Sequence, residues 1–196
     1  MKKRLIGLVV LLLVAGCLLS GCFPAAYFLE ALDTSPNEKP ASPSTSLDSP
    51  LPFGEFVTKE DYCATVRISI GEVIRGEEAN AIVAAATPRY DEPHEKPSGN
   101  QEYMIVKMKF VVTDLAKNDT YEPYGNCRLI YKNGLVVHER WESGVDGVLG
   151  IPDLDNFRVA RAGEFDVVSV FLMNKDQDPF FSLIYSYDDT IYFSLK

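Results

Sequence analysis

The chain is predicted to be all-β: an antiparallel β-sandwich of about seven strands with one short helix, preceded by a signal peptide and a disordered tether. Three observations carry that expectation. Apolar residues alternate with polar ones at period two in several separate stretches, turn-forming pairs such as Asn133-Gly134 lie between them, and the composition changes twice before the first of them. With 196 residues and 46% hydrophobic content, one domain with a real core remains once leader and linker are set aside.

Residues 1–21 read as the leader. Lys2, Lys3 and Arg4 form a basic start, Leu5 to Leu19 an uncharged apolar run, and Ser20-Gly21 a small-residue step. The stretch Leu18-Leu19-Ser20-Gly21-Cys22 resembles the lipobox of bacterial lipoproteins, which implies cleavage before Cys22 and lipidation of that residue on the extracytoplasmic face. The membrane is then a partner, reached through acyl chains that contribute about 0.8 kcal/mol per buried CH₂. Val14-Ala15-Gly16-Cys17 fits the same pattern, but cleavage there would strand Leu18 and Leu19 beyond the cut. An uncleaved transmembrane helix is the other reading of the run; Gly21 and Pro24 weaken it.

Residues 22–55 form the tether. From Glu30 onward Pro36, Pro40, Pro43, Pro50 and Pro52 are interleaved with serines and threonine, and so few apolar groups cannot offset the entropy of ordering them. About 25 such residues, semi-extended, reach on the order of 75 Å, enough to lift a domain clear of the headgroups.

The domain, residues 56–196, is built of strands. Val66, Ile68 and Ile70 fall on one parity, with Thr65, Arg67 and Ser69 on the other. From Tyr103 to Val112 the residues Met104, Val106, Met108, Phe110 and Val112 form a buried face, with Lys107 and Lys109 toward water. Cys127 to Lys132 and Leu135 to Trp141 flank Asn133-Gly134, a pair suited to a two-residue type I′ turn. That register sets Arg128 opposite Glu139 on a wet face. Phe165, Val167, Phe171 and Met173 mark a further strand; Phe181, Leu183, Tyr185 and Tyr187 then lead through Asp188-Asp189 to Ile191, Phe193 and Leu195 in a closing hairpin. The helix is Glu77 to Ala86, acidic in its first turn and stopped by Thr87-Pro88.

Two segments carry a family resemblance. Val73-Ile74-Arg75-Gly76-Glu77-Glu78-Ala79, followed by a Pro/Gly loop and then Gly99-Asn100-Gln101-Glu102-Tyr103-Met104-Ile105-Val106-Lys107, resembles a large family of bacterial lipoproteins of unknown function with a telokin-like, immunoglobulin-type sandwich. Ala162-Gly163-Glu164 is similar to that family's later turn, with alanine where the family has proline. The resemblance covers roughly residues 60–196. It implies an immunoglobulin-like fold and a surface location, and brings no catalytic residues.

In such a sandwich the starts of the first and third strands share an end. Cys63 begins the first and Cys127 the third, so a Cys63–Cys127 disulfide is expected, worth about 4 kcal/mol for a loop of this length. Burial as two free thiols is the alternative.

Chemistry is sparse. His94 and His138 lie in a loop and a strand respectively, and no metalloprotease, serine-hydrolase or nucleotide-binding motif occurs. No catalytic residue, metal ligand or cofactor is assigned. Acidic residues cluster in three loops (Asp91, Glu92 and Glu95 with His94; Asp153 and Asp155; Asp176 and Asp178), but without the spacing of a calcium loop. Tyr90, Tyr121, Tyr124 and Trp141 are candidates for a contact surface. The net charge of −9, which becomes −12 when the three leader cations are removed, excludes nucleic acid as a partner. These features point to a non-enzymatic surface lipoprotein whose sandwich is a spacer or interaction module, its protein partner unknown. The loops Thr87 to Gln101 and Gly144 to Asn156 are the candidate contact loops. The alternative is a small-ligand or calcium-binding domain using the acidic loops.

Overall fold

The computed structural model describes residues 45–196 except 91–92, 124, 141–142 and 187–188. The leader, both leader cysteines and the tether up to residue 44 lie outside the described residues.

Two four-stranded antiparallel sheets face each other. The first has the order β1 (Val57–Glu60), β2 (Thr65–Arg75), β3 (Gln101–Thr113), β6 (Gly163–Asn174); the second has the order β5 (Val136–His138), β4 (Asn126–Ile130), β7 (Phe180–Ser186), β8 (Asp189–Phe193). This is the antiparallel immunoglobulin-like sandwich expected, with eight strands among the described residues. The extra one, β1, is the four-residue stretch Val-Thr-Lys-Glu, in which only Val57 is fully buried. Alternation over so short a run is invisible in sequence.

The interior follows the period-two pattern. Met104, Val106, Met108, Phe110 and Val112 of β3 are all buried and meet Leu129, Phe181, Leu183, Ile191 and Phe193 from the second sheet. Phe171, Phe181 and Phe193 pack in sequence, with ring centroids 6.0 and 6.1 Å apart.

The first sheet is also covered on its outer face. Helix α1 (Gly76–Ala85) and the short helix α2 (Val145–Leu149) lie over it, burying Ala79, Val83 and Val145 against Ile74, Tyr103, Ile105, Val168, Val170 and Leu172. A register shift between Ile70 and Glu72 makes this possible. Before it the even residues Val66, Ile68 and Ile70 point inward; after it Val73 packs inward and Ile74 reaches the helix.

The two motif halves that carried the family resemblance are bolted together here. Arg75 Nε donates to Glu102 Oε1 at 2.8 Å, and Asn80 Oδ1 accepts the backbone N–H of Tyr103 at 2.9 Å. Arg75 also donates to the carbonyls of Lys175 and Gln177, tying β2 to the β6–β7 connection.

Two expectations require correction. Residues 45–55, assigned by composition to the tether, are docked on the domain: Leu51 is buried, its N–H donates to Tyr192 O at 2.8 Å, and its carbonyl accepts from Ser194 N at 2.8 Å. Leu51 on the strand edge and Thr45, whose Oγ1 accepts from Tyr192 N at 2.9 Å, hold this segment on the domain despite its prolines. The β4–β5 hairpin, in turn, has a three-residue loop, not a two-residue one. Tyr131 N donates to Leu135 O, Arg128 lies opposite His138, and Gly134 alone takes a left-handed conformation at φ +83°. The register moves by one residue, and Glu139 leaves the wet face on which it had been set.

Candidate ligand-binding cleft

The two long loops do meet. Gly144 lies against the backbone of Thr87, where a Cβ would stand 2.0 Å from the carbonyl oxygen, so no other residue fits there. Arg89 bridges to Asp146 at 2.9 Å and also pairs with Asp153. His94 Nε2 contacts the carbonyl of Ala86 at 3.1 Å, and Glu95 pairs with Arg140 at 2.6 Å. The loops thus serve mainly as a lock over the outer face of the first sheet.

Most of the acidic-loop residues are likewise occupied, while Asp91 and Glu92 lie outside the described residues. Asp153 is buried and caps the 3₁₀ turn Leu154–Asn156, accepting from Asn156 N at 3.0 Å and Asn156 Nδ2 at 2.8 Å. Asp176 accepts from Asn100, and Asp178 pairs with Lys196 and Arg75. No group of three or more His, Cys, Asp or Glu residues able to hold a metal occurs among the described residues. Of the aromatic candidates, Tyr121 is a core residue with no exposure, Tyr90 is 57% exposed, and Tyr124 and Trp141 lie outside the described residues.

The expected disulfide is absent: Cys63 and Cys127 are both buried, free thiols. Cys63 sits in the β1–β2 connection, not at the start of the first strand, with Sγ 3.9 Å from the carbonyl of Thr120. Cys127 belongs to the fourth strand and is surrounded by Glu139 and Ser169.

A cleft of about 430 Å³ opens where the start of β4 meets the 3₁₀ turn. Pro123, Leu154 and Ile184 form its apolar wall; Glu122, Asn126, Arg128 and Asp155 supply its polar groups. An adjoining cavity of about 310 Å³ shares Asn126 and Asp155 and adds His138 and Glu139. Gly125 contributes backbone to both, pressed so closely on Leu154 that a Cβ would fall 2.3 Å from its Cδ2.

The charges of this cleft are unequally satisfied. Glu122 is paired with Arg158 at 2.6 Å. Arg128 is different: the other half-buried arginines, Arg75, Arg89 and Arg140, each hold a carboxylate, whereas the guanidinium of Arg128 has no partner among the described residues and its Nε is buried. Asp155 likewise has a carboxylate with no hydrogen bond or ion pair among them, and burial followed by the neighbouring Asp153 raises its pKa, against the pull of Arg89.

Glu139 borders the same space. Burial pushes its carboxyl up to about 8, with Asp155 and Asp153 adding to the rise, while the Ser169 hydroxyl and the Cys127 N–H oppose it. The Cys127 thiol is raised too, first by burial and then by Glu139. Sequence reasoning missed Arg128 and Glu139 as site residues because the register placed them in water. No local motif marks a cleft assembled from residues 122–123, 125–126, 128, 154–155 and 184.

No family model and no curated protein matches the chain. Solved structures similar to it include the secreted protein MPT63 from Mycobacterium tuberculosis, at 9% identity over 74% of this chain and 97% of that one, with a TM-score of 0.48. An uncharacterized β-sandwich protein from Clostridium difficile 630 is similar at 10% identity, over 79% of this chain and 99% of that one, TM-score 0.43. A conserved hypothetical protein from Bacillus anthracis is similar at 9% identity, over 70% and 92%, TM-score 0.42.

Proposed function

We propose that this chain is a lipid-anchored extracytoplasmic protein whose immunoglobulin-like sandwich is a non-enzymatic binding module presented on a short tether. The observation that carries the reading is Leu18-Leu19-Ser20-Gly21-Cys22 directly after a basic start and an uncharged apolar run. Cys22 would bear the lipid. No helix among the described residues is long and apolar enough to cross a membrane. The Pro- and Ser-rich residues from Glu30 to about residue 44 would supply the reach, and the segment from Thr45 to Glu55 packs on the domain.

The test is fractionation of cells fed labelled palmitate. The wild-type chain takes up label and sediments with membranes; Cys22→Ala takes up none and is released from them. A Cys22→Ala protein that is still labelled, or is processed and retained on the membrane as before, overturns the reading.

A further inference from the structure

We infer that the Arg128–Asp155 cleft binds a small zwitterion, a molecule carrying a carboxylate at one end and an ammonium at the other, such as the free ends of a short peptide. The inference deepens the reading of the domain as a binding module and rests on it. In a protein of net charge −9, a half-buried guanidinium without a counter-charge is an expensive arrangement unless an anion completes it. Arg128 lines the cleft with its Nε buried and unpartnered, whereas each comparable arginine is neutralised within the fold. A planar guanidinium matches a carboxylate fork.

A purely anionic ligand would be repelled by Asp155 in the same wall, and a purely cationic one by Arg128. A dipolar ligand satisfies both. Its carboxylate takes Arg128 and its ammonium takes Asp155, while Leu154 and Ile184 cover the carbon skeleton between. The volume of about 430 Å³ suits a molecule of dipeptide size and lies in the range of small-ligand pockets.

Calorimetric titration of the full chain in detergent with Ala-Ala, its N-acetyl derivative and its C-terminal amide tests this without altering the protein. Ala-Ala binds with one-to-one stoichiometry, and each capped form binds about tenfold more weakly or worse. Arg128→Gln removes the discrimination against the amide alone, and Asp155→Asn the discrimination against the N-acetyl form alone. No saturable heat with Ala-Ala, or equal affinity for all three ligands, overturns the ligand assignment. Membrane fractionation and palmitate labelling report separately on the anchor, so failure of the cleft and failure of the lipoprotein reading are told apart.

Discussion

Arg75 and Glu102 form an ion pair at the seam between β2, helix α1 and β3, with Nη2 2.6 Å from Oε1 and the glutamate side chain only 9% exposed. The pair is asymmetric. Arg75 keeps Asp178 and two backbone carbonyls if Glu102 is lost, but Glu102 keeps no other charge partner among the described residues if Arg75 is lost. Glu102→Ala is therefore expected to lower stability by about 2 kcal/mol and Arg75→Ala by about 3 kcal/mol or more, read from urea unfolding midpoints. Equal losses would contradict the asymmetry.

Glu139 gives the fold a dependence on pH. Its carboxyl titrates at about 8 in the folded chain against an ordinary value of 4.5, so the folded state binds more protons than the unfolded state between those values. Stability contributed by the neutral form is complete below 4.5 and is lost as pH rises toward and through about 8. Glu139→Gln removes the ionisation while keeping the volume. The variant should be more stable than wild type by on the order of 2 kcal/mol near pH 9, and equal to it near pH 4, allowing for partial solvent screening. Thermal melts of both proteins across that range decide it; parallel curves would show that Glu139 ionises freely in the fold.

The Gly144–Thr87 contact predicts a sharp sensitivity at one position. A methyl group at 144 would collide with the Thr87 carbonyl and would also sit on a left-handed backbone of φ +64°. Gly144→Ala should cost about 2 kcal/mol or more and loosen the loop lock over α1 and α2, raising amide exchange at Val83 and Val145. Gly147, which has open space at its Cβ position, is the control, and Gly147→Ala should change little.

Two buried free thiols predict a definite labelling pattern. Native protein treated with iodoacetamide should take up no label at Cys63 or Cys127, and denatured protein should take up label at both without prior reduction. Protection that persists in denaturant until a reductant is added would restore the disulfide.

How much of this was legible beforehand depends on the range of the interactions involved. The inner face of β3 was readable because Met104 to Val112 keep one parity without interruption, and the β7–β8 hairpin because Phe181 and Leu183 pair with Phe193 and Ile191 as their patterns require. The outer helical layer was not, since Tyr103, Ile105 and Val168 are buried on the face that alternation gives to water. Asn133-Gly134 misled by one residue because the same dipeptide serves both a two-residue turn and a three-residue loop ending in a left-handed glycine. Of the cleft, only the acidic loop holding Asp155 was visible. Whether an arginine has a carboxylate beside it is decided by residues distant in sequence, and that is what separates Arg128 from Arg75, Arg89 and Arg140.

The anchor is tested most directly by the intact mass of the protein extracted from membranes in detergent. The account predicts a chain beginning at Cys22 and heavier than its amino acids by a diacylglyceryl group, with or without a further acyl chain on the amine. A mass that starts at Met1, or that starts beyond the leader with no lipid added, would contradict it.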